Sequence, residues 1–136
     1  MGLHIVLAQS SFSIIDKLRR YDLNEINLKS YPNDSFSLKM IKWQTDFLKH
    51  YEVDNDGFEV FDKIVEVPET SSHLGKFYYY LNSGDYLFYK YHDKNFEARR
   101  FYLNALKFAE GLGDVYMECE VLKRILNLNR QSYLKD

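Results

Sequence analysis

The sequence is poor in the residues that build most small chemical sites. Cys119 is the only cysteine among 136 residues, which excludes an intrachain disulfide and a cysteine-built metal cluster. Only 2 prolines and 6 glycines are present, too few for a turn-rich β fold. Charge of one sign is also scarce. The 18 basic and 20 acidic side chains leave a formal net charge of -2, so the basic excess of a general nucleic-acid binder is missing. No apolar run is long enough to cross a membrane. The four histidines, His4, His50, His73 and His92, are scattered without paired metal spacing. His50 and His92 fall near predicted helix ends, where an imidazolium faces the helix dipole favourably. Phosphate-binding glycine loops, nucleophile elbows and dinucleotide fingerprints are absent as well.

Two weaker chemical signals fail on inspection. Glu52, Asp54 and Asp56 alternate as in a calcium loop, but counting from Asp54 puts Glu59 at the glycine position and Val65 at the glutamate position. Cys119 stands between Glu118 and Glu120, whose charges disfavour a reactive thiolate. No enzymatic activity and no cofactor are therefore expected.

Aromatic side chains are abundant: 12 Tyr and 10 Phe, in a chain whose 46% apolar and 28% charged residues mark a single folded domain spanning 1–136. Helical spacing recurs along it. Ser11 to Leu23 reads as a short helix with Ile14, Ile15 and Leu18 on its apolar side. Phe36 to about Tyr51 is strongly periodic through Phe36, Met40, Trp43, Phe47 and Tyr51. Asn55-Asp56-Gly57 breaks it, and Phe58, Phe61, Ile64 and Val65 stripe a short helix that Pro68 ends. A long helix starting near His73, capped by Ser71 or Ser72, is apolar on more than one side through Leu74, Phe77, Tyr78, Leu81, Leu87, Phe88 and Tyr91. Gly84 in its middle implies a close neighbour or a kink. Val115 to about Asn129 closes the series, with Val121, Leu122, Ile125 and Leu128 inward and a frayed tail from Gln131.

Between these last two helices lies the stretch around which the chain is organised, Asn95 to Asp114. Ala98, Tyr102, Ala105, Leu106 and Ala109 share one helical face, small enough at the alanines for a neighbouring helix to come close. Gly111 and Gly113 end the helix, and Asp114 can cap the next. This pattern resembles the second helix of a tetratricopeptide repeat, whose signature is A-x3-[FY]-x2-A-L followed by a short turn. A shift of about 38 residues also superposes Phe36 on Leu74, Met40 on Tyr78, Trp43 on Leu81, Tyr51 on Tyr89 and Val60 on Ala98. The resemblance implies five to six helices stacked as antiparallel pairs in a short right-handed all-α solenoid. It also implies a noncatalytic scaffold that holds a peptide or protein segment in a concave groove lined by the first helices of each repeat.

The side chains expected to serve such a groove are Tyr79, Asn82, Tyr86 and Lys90, rings for apolar contact and polar groups for a peptide backbone. Arg99 and Arg100 would attract acidic groups. Alternative readings make the chain a fragment, the sensory part of a larger signalling protein or transcription regulator, or a self-associating module. In the last case Leu122 and Ile125 would form a homodimer face. The apolar run Leu3 to Ala8 reads either as an ordinary element packing on the core, in a cytoplasmic protein, or as the remnant of an export signal, in a periplasmic one.

Overall fold

A computed structural model describes residues 35–53, 72–91 and 93–135, with side chains to 49 in the first segment and to 130 in the last. Four α-helices are found among the described residues: α1 (Ser35–Val53), α2 (His73–Lys90), α3 (Asn95–Leu112) and α4 (Val115–Lys135). Ser11–Leu23 and the short helix at Phe58–Val65, which would complete the expected five or six, lie outside the described residues.

The periodic stripe of α1 buries Phe36, Met40, Ile41 and Phe47, and with them Ser37, Gln44 and Thr45. Thr45 satisfies its hydroxyl on the Ile41 carbonyl one turn back, at 2.9 Å. Trp43 stays half-buried, stacked flat on Phe47 with centroids 5.2 Å apart. Cross-links between α1 and α2 advance along both chains together: Ser37 to Ser72, Gln44 to Asp85, Phe47 to Tyr89. The two helices therefore run parallel.

Ser72 opens α2 by accepting the Gly75 N–H at 3.2 Å, as its position before the apolar stripe predicts. The helix passes through Ser83-Gly84-Asp85 without interruption. The reason for glycine is steric: a Cβ at Gly84 would lie 2.5 Å from the Tyr102 ring, so the absence of a side chain is what lets α3 cross there. Of the two explanations for a mid-helix glycine, close approach is the one realised.

On α3, Ala98, Tyr102, Ala105 and Ala109 are fully buried, and Leu106 packs half-buried at their edge. Gly113 adopts the left-handed conformation, φ 68°, and the Asp114 N–H reaches back to the Ala109 carbonyl at 3.2 Å. Asp114 then accepts the Met117 N–H at 3.0 Å and so starts α4 within one residue of the end of the preceding turn. The tight turn makes α3 and α4 antiparallel, with Arg99 bonded to Asn129 near the open ends. α2 and α3 are antiparallel too, so α1, α2 and α4 point one way and α3 the other.

Two details of α4 correct the sequence reading. Its inward side is Met117, Val121 and Leu128, with Ile125 half-buried and packed against that core as expected, whereas Leu122 faces outward with 45% of its surface exposed. The helix also continues to Lys135, because neither glycine nor proline interrupts the residues after Asn129.

Candidate functional site

The helices meet on one buried carboxylate. Asp85, 1% exposed, can only accept hydrogen bonds, and it receives three. Its Oδ1 takes the Tyr102 hydroxyl at 2.6 Å and the Arg124 Nε–H at 2.8 Å, while Oδ2 takes the Gln44 Nε2–H at 2.8 Å. One residue from each of the four helices therefore converges there. Arg124 extends the chain of contacts, donating from Nη1 to the Glu120 carbonyl at 3.1 Å and to Glu120 Oε2 at 3.2 Å. Because an ionised carboxylate is acceptor-only, the Gln44 amide must present its NH2, which leaves Oε1 on the other side.

The electrostatics follow from this geometry. Burial alone would favour loss of the Arg124 proton, but the adjoining Asp85 charge outweighs it and the guanidinium is held charged. The Tyr102 hydroxyl is pushed well above its ordinary value of 10.0, first by burial and then by the Asp85 charge beside it. Burial likewise raises Tyr78. Three buried atoms near the network, the Tyr78 hydroxyl, Gln44 Oε1 and Asn82 Oδ1, have no hydrogen-bond partner. The Asp85 carboxylate is buried and accepts from three other helices, which suits it to fixing helix positions.

The residues expected at a groove separate in space. Asn82 is buried, its amide donating to the Met40 carbonyl at 2.9 Å, so it fastens α2 to α1 and is withdrawn from any open face. Tyr79 is half-buried between Phe36 and Tyr80, with ring centroids at 6.1 and 5.2 Å. Tyr86 and Lys90 stay together at the end of α2, where the ammonium sits 5.2 Å above the Tyr86 ring and 5.9 Å from that of Tyr91. Arg99 is turned toward α4 by its bond to Asn129. Arg100 remains exposed, on the opposite edge of α3.

Arg100 is also where the surface is concave. With Glu97, Phe101 and Asn104 it lines a half-open groove of about 320 Å³. Beneath the groove's apolar wall a row of rings joins α2 to α3: Tyr80 lies 6.2 Å from Phe101 and stacks on Phe108 at 5.6 Å, and His73 meets Phe108 edge-on. Lys76 covers the outer face of Phe108 at 5.8 Å. His4, His50 and His92 lie outside the described side chains.

The network of Gln44, Asp85, Tyr102, Glu120 and Arg124 was not anticipated as a unit. One signal did exist, since Arg124 interrupts the apolar series Met117, Val121, Leu128 on the inward side of α4. Among the described residues no helix is long and apolar enough to cross a membrane. Comparisons of the chain with family models, curated proteins and solved structures find no match.

Proposed function

We propose that the chain is a noncatalytic helical scaffold, tetratricopeptide-like in build, that receives a peptide or protein segment in the groove formed by Glu97, Arg100, Phe101 and Asn104. The carrying observation is the composition of that groove. A half-exposed ring stands beside an exposed guanidinium, amide and carboxylate (Arg100, Asn104 and Glu97), groups that can grip an extended segment by apolar burial and by hydrogen bonds to its backbone and charged side chains. The tetratricopeptide-like reading is supported by α1 and α2, which run parallel and open at Ser35 and His73, 38 residues apart. It is further supported by each helix packing mainly on its neighbours in the chain. On this reading the first helices of the units are α1, α2 and α4. Their shared face is closed by Gln44, Tyr78, Asn82 and Asp85, all buried, so the partner is assigned to the open groove on α3.

Selection of random peptides displayed on phage against the whole chain tests this. Selected peptides should carry an acidic group near an apolar side chain, and Arg100→Glu or Asn104→Ala should weaken each by about tenfold. Lys90→Ala, away from the groove, should leave binding unchanged. Peptides that bind all three variants alike would remove the groove from consideration.

A further inference from the structure

The outward face of α4 carries Val115, Cys119, Leu122 and Leu126, spaced 4, 3 and 4. Val115, Leu122 and Leu126 expose 60%, 45% and 66% of their surface, and Cys119 is exposed as well. The buried Met117, Val121 and Leu128 lie on the other side of the helix, so this outward stripe is not an overflow of the core. A 4-3-4 apolar stripe on a solvent-facing helix is the seam by which two helices pair. The stripe runs from Val115 to Leu126, the first twelve of the 21 residues of α4 and roughly 18 Å of its length; Asn129, the next position along it, bonds to Arg99 of α3. Leu122 then takes the position that holds leucine in two-stranded pairs.

Charge beside the seam selects both the partner and its direction. Glu118 stands on one flank and Lys123 on the other, and the Lys123 side chain is 58% exposed although it also meets Glu120 at 2.7 Å. In a parallel, in-register pair, the flanking residue before a seam position faces the residue five further along the other chain. Glu118 of each copy then meets Lys123 of the second copy, twice about the two-fold axis. In an antiparallel pair like flanks face each other, and Lys123 meets Lys123 or Tyr116. We propose that α4 pairs in parallel and in register with α4 of a second copy of this chain, through Cys119, Leu122 and Leu126, with the Glu118–Lys123 pairs setting direction. The groove on α3 takes no part in this contact, so the two readings stand or fall separately.

The single cysteine makes the geometry measurable, because Cys119 would face its counterpart across the axis within disulfide reach. Light scattering after size exclusion, over a wide concentration series, should give twice the 16.3 kDa chain mass. Mild oxidation should convert the dimer to a disulfide-linked one. Leu122→Glu, at an exposed site, should give a monomer with unchanged circular dichroism. Lys123→Glu should weaken the dimer about tenfold, and Glu118→Lys combined with Lys123→Glu should restore it. A monomer at every concentration overturns the proposal. So does a dimer indifferent to Leu122→Glu, and so does one that neither cross-links through Cys119 nor recovers in the double reversal.

Discussion

Replacing Gly84 by alanine tests the packing of α2 on α3 directly. In an exposed helix interior the change stabilises by about 1 kcal/mol, because glycine is the poorer helix former. At Gly84 the new Cβ would stand 2.5 Å and 2.6 Å from two carbons of the Tyr102 ring, inside any tolerable contact. The ring has nowhere to go. Tyr102 is 1% exposed, and its hydroxyl is fastened at 2.6 Å to Asp85. Forcing an extra methyl into a filled core costs about 1–3 kcal/mol. Displacing the ring also strains a hydrogen bond to a charged acceptor, worth about 1.5–3 kcal/mol. After subtracting the propensity gain, a net loss of about 1.5–5 kcal/mol is expected. At roughly 3–5 °C per kcal/mol for a chain of this size, that lowers Tm by about 10 °C. Urea unfolding followed by circular dichroism should show a lower midpoint at unchanged slope. Gly111→Ala is the matched control: it sits in the same class of structure but meets only His73, at 3.5 Å, and should be neutral or stabilising by up to about 1 kcal/mol. The decisive arm is the double-mutant cycle. In a Tyr102→Ala background the space is open, so Gly84→Ala should change sign and stabilise. If Gly84→Ala stabilises the otherwise unchanged protein, the close approach of α2 and α3 is wrong.

Two further outcomes follow from the buried network and one from the cap of α4. Arg124→Leu leaves the Asp85 carboxylate buried with neutral donors only and should destabilise by about 3–5 kcal/mol in urea melts, whereas Asp85→Asn with Arg124→Leu should recover part of that loss. Tyr102 has a folded-state pKa raised above the unfolded value of 10.0, so its stabilising effect is whole below pH 10 and is lost as pH rises toward the folded value. Ultraviolet tyrosinate titration should therefore show a late step coincident with unfolding, smaller in Tyr102→Phe. Burial raises the Asp114 carboxyl above its ordinary 3.8, so the folded state binds that proton more tightly and this group's effect on stability worsens as pH rises just above that value. Asp114→Asn keeps the helix cap and should remove that slope from the difference between the two melting profiles.

The helices of this chain were legible where one face alone is apolar. Ala98, Tyr102, Ala105 and Ala109 predict their own burial because small residues at helical spacing have no other use, and Gly113-Asp114 announces both a stop and a start. Burial of polar side chains was not legible. Asn82 looks like a groove residue by composition, yet its amide caps a carbonyl on α1. Periodicity gives the angular position of a side chain, and whether that angle faces water depends on which neighbour arrives there. Leu122 illustrates the converse. Its type suggests the interior, but Met117, Val121 and Leu128 already occupy the arc that α4 turns toward the core, and the remaining apolar positions fall outside it.

The placement of Asp85 suggests why so aromatic a core contains a charge at all. Rings pack tolerantly: Tyr80 touches Phe101 and Phe108 at different angles, and a shift of one helical turn would find other rings to meet. Apolar burial alone therefore leaves the relative register of α1, α2, α3 and α4 weakly specified. A buried carboxylate removes that freedom, because any shift that separates it from Gln44, Tyr102 or Arg124 strands a desolvated charge and its donors together. The pair need add no net stability over an apolar replacement to act in this way. Gly84, one residue before Asp85, serves the same end by admitting the Tyr102 ring at a single height along α2. Steric and electrostatic selection thus act on adjacent residues and on the same partner. The helix positions they fix determine where Arg100 and Asn104 stand beside the groove and which arc of α4 remains outside.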